Sequence, residues 1–364
     1  MRSKPSMMRA QLGTVVTTVL TTLFVIVSLI FATYMNESQT FEYICPARPS
    51  KPCPEQGCPT SEENTPATAT STRVKTLPTS TSIPDTRFVI NFGDSYSRTG
   101  FNWTLTGRGS KANPSAENPI GTPEWPGDTS TGGINWLGYM ASHFNKTTTL
   151  VWNYASSGAV VDRTVVPPRR PIFIDFAEQV RQFKASIGQR PDYAPWTPDN
   201  AVAGIWLGLN DFGESFRWDN LSTITSLLSE RLIGQSQVLY DIGLRNFLFI
   251  EIPALDLLPM YEKWRLDPSD KRPEIARYYS NSFNTHLQRR VDKFRAANPD
   301  ARATLIQASD IYWDAYRNPQ ALHAINNTCI DHEKGEKCLW YDGFHPATRI
   351  HKMVAARCAE AAWG

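Results

Sequence analysis

The sequence predicts an α/β fold, with three α/β/α layers around a mostly parallel five-stranded sheet. Five short apolar runs alternate with segments of helical pattern along residues 86–364. The runs are apolar on both faces, which is typical of strands covered by helices on both sides. Alternating strands and helices indicate parallel pairing. No internal repeat divides the segment, so one domain accounts for it.

The predicted strands are short runs of apolar residues, many of them β-branched or aromatic. A strand buried on both faces has this composition and length. In chain order the predicted strands are residues 88–92, 150–154, 201–207, 247–252 and 303–306.

The segments between these runs are longer and mix polar with apolar residues at helical spacing. The last of the predicted helices ends the chain. In chain order they are residues 134–144, 173–186, 221–244, 278–297 and 347–363.

The N-terminus differs in kind from the predicted domain. Residues 1–11 include three basic side chains, and residues 10–36 carry no charged one. About twenty apolar residues suffice to cross a bilayer as a helix. We therefore predict a short cytoplasmic tail at 1–11, a transmembrane signal anchor at 12–34 and a single-pass type II orientation with a lumenal or extracellular domain. The alternative is a cleaved signal peptide and a secreted protein.

Residues 35–85 are rich in Pro, Ser and Thr and poor in large apolar side chains. Such a segment buries too little apolar surface to offset the entropy of ordering it, which predicts a stalk. Five N-glycosylation sequons agree with export. They are at Asn36, Asn102, Asn145, Asn220 and Asn326.

Six cysteines in an exported chain are expected to be mostly paired. Cys329 and Cys338 flank a charged loop and are the pair we favour. The pairing of Cys45, Cys53, Cys58 and Cys358 stays open. Zinc binding by the first three is the rival interpretation, which their Pro-rich surroundings and the lack of nearby histidines disfavour.

Two motifs at opposite ends of the domain hold the residue types of a nucleophilic triad. The sequence F-G-D-S-Y at 92–96 contains Ser95, and D-G-F-H-P at 342–346 contains Asp342 and His345. Serine needs an imidazole to remove its proton, and the imidazole needs an acceptor on its other nitrogen. We predict that these three side chains are catalytic.

Two further residues supply hydrogen-bond donors of the kind that stabilise an oxyanion. They are Gly158, through its backbone N–H, and Asn210, through its side-chain amide. With the backbone N–H of Ser95 they form the predicted oxyanion hole. Ser95, Gly158 and Asn210 each follow a predicted strand, and loops beyond the carboxyl ends of strands are where such sheets place chemistry.

Each of these residues also has a plain structural interpretation. Ser95 can cap a helix, Gly158 can serve a turn, and Asn210 can form an Asx-turn. Asp94 and Asp211 resemble the carboxylate pair of a glycosidase, although we expect them to organise their own loops. The order and joint occurrence of the predicted site residues favour the active-site interpretation.

Ser95, Gly158, Asn210 and His345 stand in the order of the four signature residues of the SGNH, or GDSL, hydrolases, and the chain resembles that superfamily from about Arg87 to its end. It is most similar to fungal secreted acetylesterases that act on plant-wall oligosaccharides. The matching segments are N-F-G-D-S-Y at 91–96, T-G-F-N at 99–102, N-P at 118–119, P-G at 126–127, G-I-N-W at 133–136 and W-L-G-L-N-D at 206–211, with Asp342 and His345.

The resemblance implies hydrolysis of short acyl, mainly acetyl, esters on carbohydrates through an acyl-enzyme, without a metal or organic cofactor. Trp103 and Trp125, in the long segment after Ser95, are the candidate sugar contacts because an indole offers an apolar face to a sugar ring, and core packing is their alternative role. A net charge of +2 gives no reason to expect a nucleic-acid partner. The alternatives are a lipase-like or acyltransferase activity of the same serine, and a membrane-tethered glycan-binding protein without turnover.

Overall fold

The computed structural model describes residues 86–364, and in them five strands form one all-parallel sheet in the order β2-β1-β3-β4-β5. This confirms the predicted α/β fold with its five strands. The predicted tail, anchor and stalk, with Asn36, lie outside the described residues. The strands are β1 (Thr86–Gly93), β2 (Thr148–Asn153), β3 (Ala201–Trp206), β4 (Asn246–Ile250) and β5 (Arg302–Ile306).

Helices connect the strands and form two packed groups. The helices are α1 (Trp136–Ser142), α2 (Phe176–Ser186), α3 (Leu209–Ser215), α4 (Leu221–Ile242), α5 (Glu262–Arg265), α6 (Arg272–Ala297), α7 (Ala308–Arg317) and α8 (Thr348–Trp363). Helix α8 packs against α1 and α7 in one group, and α4 packs against α2 and α6 in the other. Between residues 86 and 364 no helix is both long and apolar enough to span a bilayer.

The core lies on both faces of the central strands. Every residue of β3 and β4 is buried, as are the last six residues of β1. Burial on both faces explains why these strands appear in the sequence as continuous apolar runs. The functional loops therefore project from a rigid, close-packed sheet.

Four helices depart from the sequence-based expectation. Helix α3 is expected as a loop because Asn and Asp favour turns, and α5 and α7 are not predicted. Helix α6 begins at Arg272 rather than at 278, because Pro273 suits the first helical turn and extends the helix before its regular pattern starts.

The predicted disulfide between Cys329 and Cys338 is present, with a Cα–Cα distance of 5.3 Å. Cys358 is buried in α8 and pairs with no other described cysteine. The bridge closes the charged loop that precedes Asp342 and His345. Of the described sequon asparagines, Asn102, Asn220 and Asn326 are exposed and Asn145 is half-buried. Their glycosylation stays a prediction.

The double substitution Cys329→Ser/Cys338→Ser should lower the free energy of unfolding by about 2–3 kcal/mol, because it frees a loop of nine-residue separation in the unfolded chain. Urea denaturation of both proteins measures this. A reductant should lower the midpoint of the wild-type protein more than that of the double variant. Equal midpoints for the two oxidised proteins would contradict the prediction.

Candidate active site

Ser95 and His345 meet in the fold although they are 250 residues apart. The Nε2 atom of His345 lies 2.9 Å from Oγ of Ser95, and its Nδ1 lies 2.8 Å from Oδ2 of Asp342. One ring nitrogen therefore contacts the hydroxyl that it is predicted to deprotonate, and the other contacts the predicted carboxylate. The three side chains form a continuous hydrogen-bonded chain from carboxylate to hydroxyl.

The Asp342 carboxylate is fixed by its own turn. Its Oδ1 accepts the backbone N–H groups of Phe344 and His345, each at 2.7 Å. Burial would raise the pKa of this carboxyl, but the hydrogen bonds from the His345 ring and from the two N–H groups outweigh burial and lower it. Asp342 is therefore charged near neutral pH and holds the Nδ1–H tautomer of His345.

Tyr96 connects the nucleophile segment to the turn that carries His345. Its hydroxyl donates to the carbonyl oxygen of Phe344 at 2.5 Å, and its buried ring packs beside that of His345. His351 packs against Tyr96 from α8, and burial lowers its pKa to about 3. His351 is thus a neutral core residue.

Gln179 on α2 holds the end of β1. Its amide accepts the N–H of Gly93 and donates to the carbonyl of Gly93, both at 2.8 Å. The side chain is fully buried, so both of its polar groups are satisfied by the strand. Each buried polar group left without a partner would cost about 1–3 kcal/mol. Gln179 therefore fixes the backbone two residues before the nucleophile.

Buried side chains fix the chain on the other side of Ser95. The carbonyl of Ser97 accepts the amides of Asn153 at 2.8 Å and Asn135 at 3.1 Å, while the Ser97 hydroxyl accepts the indole N–H of Trp136 at 3.0 Å. Asn135 and Trp136 belong to the G-I-N-W segment that supported the family resemblance. That segment positions the nucleophile turn.

Gly158 and Asn210 lie at the same cavity as Ser95 and His345. Gly158 has a φ of +75°, and a Cβ there would lie 2.3 Å from the ring of Phe173. The position therefore requires glycine. The amide of Asn210 donates to the carbonyl of Ala159 at 2.9 Å, which leaves its second hydrogen for a ligand.

Asp211 holds the loop that contains Gly158. Both of its carboxylate oxygens lie 3.1 Å from the backbone nitrogen of Val161 in that loop. Asp211 therefore does not organise its own segment, contrary to what we expected from the sequence. Asp94, by contrast, accepts the N–H of Tyr96 within its own turn. Burial raises the pKa to about 8 for Asp211 and to about 7 for Asp94. Neither carboxyl lines the cavity, which argues against a glycosidase pair.

The cavity has a volume of about 610 Å³ and a largely aromatic wall. Trp103 and Trp125, the sugar contacts expected from the sequence, do not line it. Trp125 packs beside Gly138 of α1, and both indoles are half-buried against the core. Trp264 lines the cavity instead. Its aromatic companions there are Phe173, Phe212, Phe216, Tyr261 and Phe344.

A family model described as GDSL-like Lipase/Acylhydrolase matches residues 89–358. An acetylesterase of Thermothelomyces thermophilus is 38% identical over 277 residues, which is 76% of this chain and 88% of that protein. A thermolabile hemolysin of Vibrio parahaemolyticus is 24% identical over 63% of this chain and 54% of its own length.

Among solved structures, the acetylxylan esterase Axe2 of Geobacillus stearothermophilus is similar, with 11% identity, coverage of 76% of this chain and 94% of that chain, and a TM-score of 0.42. An extracellular lipase of Streptomyces rimosus has 14% identity, covers 76% of this chain and 99% of that chain, and gives a TM-score of 0.37.

Gly158→Ala should be far more harmful than Gly213→Ala at the same cavity. A side chain at 158 faces left-handed backbone strain of about 1–2 kcal/mol and collides with Phe173. A Cβ at 213 would meet no atom within 4 Å. Alanine also has a higher helix propensity than glycine, and position 213 lies within α3. Hydrolysis of p-nitrophenyl acetate should fall about 100-fold in the first variant and stay near wild type in the second. Equal effects would contradict the loop assignment.

Asp211→Asn should flatten the dependence of stability on pH. Between the ordinary value of 3.8 and about 8, folded Asp211 binds more protons than the unfolded chain, so the free energy of unfolding falls as pH rises. Asn keeps an oxygen for the N–H of Val161 but does not titrate. The loss of stability between pH 5 and pH 8, measured by urea denaturation, should be smaller in this variant.

The exposed Asp192→Asn provides the matched control and should keep the wild-type loss. An unchanged loss in Asp211→Asn would show that Asp211 is ionised in the folded protein throughout this range.

Proposed function

This chain belongs to the GDSL-like lipase/acylhydrolase family and is a carboxylic-ester hydrolase, and we propose that it removes acetyl groups from O-acetylated carbohydrates through an acyl-enzyme on Ser95. The observation that carries the mechanism is the pair of hydrogen bonds of His345, at 2.9 Å to Ser95 and 2.8 Å to Asp342. Nothing in this scheme calls for a metal or organic cofactor.

The first step is attack on the ester carbonyl. Nε2 of His345 takes the hydroxyl proton as Oγ of Ser95 bonds to the carbonyl carbon. The imidazolium that forms is stabilised by Asp342, which is already charged and fixed by two backbone N–H groups. No rearrangement of the carboxylate is needed during the step.

The oxyanion that develops is stabilised by donors set before the reaction. These are the N–H groups of Ser95 and Gly158 and the free amide hydrogen of Asn210. The bond from Asn210 to the carbonyl of Ala159 orients the amide, and Asp211 holds Val161 two residues further along. Preorganisation of this kind avoids a reorganisation cost at the moment of reaction.

The acyl-enzyme forms when the alcohol leaves, and water then hydrolyses it. His345 gives its proton to the alcohol oxygen as the ester C–O bond breaks, so that the acyl group stays on Oγ of Ser95. His345 afterwards removes a proton from a water molecule that attacks the acyl carbonyl. The tetrahedral intermediate collapses, acetate leaves, and the proton returns to Ser95. One histidine thus serves as base and acid in both halves.

The acetyl specificity is supported by the 38% identical relative that is named an acetylesterase. The carbohydrate part is supported by the cavity, where an indole and several phenyl rings stand beside charged side chains. Such a wall suits the mixed apolar and polar faces of a sugar. The lipase-like and acyltransferase alternatives use the same serine. The intact triad favours turnover over a glycan-binding role without hydrolysis.

The protein should release acetate from acetylated xylo-oligosaccharides, and Ser95→Ala and His345→Ala should reduce this to background, because each removes one member of a unit that acts together. Asp342→Asn should lower kcat by about 10⁴-fold, since the wrong tautomer of His345 is then favoured. Acetate assay of all four proteins measures these effects.

The p-nitrophenyl esters of acetate and of longer acids, assayed with the same four proteins, separate the alternatives. Preference for long acyl chains would favour the lipase-like alternative. Comparable acetate release by Ser95→Ala would show that the assigned nucleophile is wrong.

A further inference from the structure

The cavity wall carries an excess of positive charge. Besides His345, its titratable lining consists of three arginines, Arg169, Arg217 and Arg272, with Glu214 and Tyr261. Asp342 is behind His345 and is not part of the wall. Charged side chains in a substrate cleft select the sign of charge on the ligand.

Two of the three arginines are compensated by carboxylates. The Nε atom of Arg169 lies 3.2 Å from Glu214, so these two charges cancel within the wall. Arg272 pairs with Asp270, with Nε 2.9 Å from Oδ1, and its guanidinium lies 3.6 Å from the ring centroid of Trp264. Both of these arginines already have partners in the free protein.

Arg217 differs from them. Among residues 86–364 no carboxylate lies within ion-pairing distance of its guanidinium, which instead lies 5.1 Å from the ring centroid of Phe216. The side chain is exposed at the cavity. The uncompensated positive charge of the wall therefore belongs to Arg217.

Arg217 has a fixed relation to the reacting centre. Asn210, an oxyanion donor in the proposed function, lies in the first turn of α3, and Arg217 follows the end of the same helix. Helix α3 has seven residues at 1.5 Å each, so its two ends lie roughly 10 Å apart along the axis. A substrate that places its acetyl ester at Ser95 can extend along this wall to the guanidinium.

We propose that the natural substrate is an O-acetylated acidic glycan whose sugar carboxylate is bound by Arg217. This rests on the proposed function and adds its substrate class. A guanidinium matches a carboxylate in a two-pronged hydrogen-bonded pair. Phe216 and Trp264 line the same cavity and add apolar surface for the sugar rings. Arg217 is thus a specificity residue and takes no part in bond cleavage.

An anionic lipid surface is the competing partner for the same charge. The exposed apolar residues Ile172, Trp218 and Leu266 lie close in sequence to cavity residues. The position of Arg217 in the wall of the cavity, just past the end of the helix that carries Asn210, favours an anion on the substrate itself over a headgroup at the rim.

The test compares a mono-O-acetylated methyl glucuronoside, which is an anion, with its neutral glucuronamide analogue. The two substrates differ only in the replacement of the carboxylate by an amide. Acetate release gives kcat/KM for each at low ionic strength. Wild type should prefer the acid about tenfold. Arg217→Gln should bring the ratio close to one, and Arg217→Lys should keep part of it, because lysine retains the charge without the planar fork.

Arg357→Gln on α8 is the matched control, since it removes an exposed arginine that is not at the cavity and should keep the wild-type ratio. Thermal unfolding checks that each variant is folded. Raising the salt concentration should weaken the preference of the wild type, as expected for an exposed ion pair.

Equal kcat/KM for acid and amide in the wild type, or an equal ratio in wild type and Arg217→Gln, would overturn the inference while leaving acetylesterase activity in place. Such a result together with weaker binding of Arg217→Gln to phosphatidylserine vesicles would assign Arg217 to a lipid surface. Hydrolysis of p-nitrophenyl acetate with no release from either sugar would overturn the carbohydrate proposal as well.

Discussion

The hydrogen bond between Ser95 and His345 is the interaction on which the site depends, and most of the surrounding structure serves to hold its two ends. One end is a turn after β1, fixed by Gln179 on one side and by Asn135 and Asn153 on the other. The other end is a tight turn closed by Asp342. Because Gln179, Asn135 and Asn153 are buried and hydrogen-bonded, and Asp342 is held by backbone N–H groups, the 2.9 Å contact does not rely on flexible side chains meeting by chance.

Tyr96 couples the two ends directly. It follows the nucleophile in sequence, and its hydroxyl binds the residue that precedes His345. A displacement of either turn would break this hydrogen bond and leave a buried hydroxyl unpaired. Helix α3 does the corresponding work on the opposite side of the cavity. Its first turn brings Asn210 to the cavity and Asp211 to the loop of Gly158, and Arg217 lines the cavity just beyond the end of the helix.

The fold and the triad were predictable because their signals are local. Strands buried on both faces give continuous apolar runs, and Ser95, Asp342 and His345 stand in short motifs at the ends of such elements. The supporting residues were not predictable. Gln179 is one polar residue in an ordinary helix, and only the tertiary structure shows that both its groups bind Gly93.

The aromatic residues of the cavity wall were not predictable either. Trp103 and Trp125 follow Ser95 closely in sequence, but the wall is assembled from distant segments of the chain. Trp264 comes from a short helix between β4 and α6, with no pattern that distinguishes it from a packing residue. Asn and Asp after a strand predict a loop, whereas Asn210 and Asp211 lie in the first turn of α3. There Asn210 binds the carbonyl of Ala159 and Asp211 binds the N–H of Val161.

The most direct measurement is covalent labelling with a fluorophosphonate ester, followed by mass spectrometry of the peptides. We expect a single phosphonylated residue, Ser95, and loss of labelling in His345→Ala because the hydroxyl is then no longer activated. Labelling of a different residue, or labelling of Ser95 at an equal rate without His345, would contradict it.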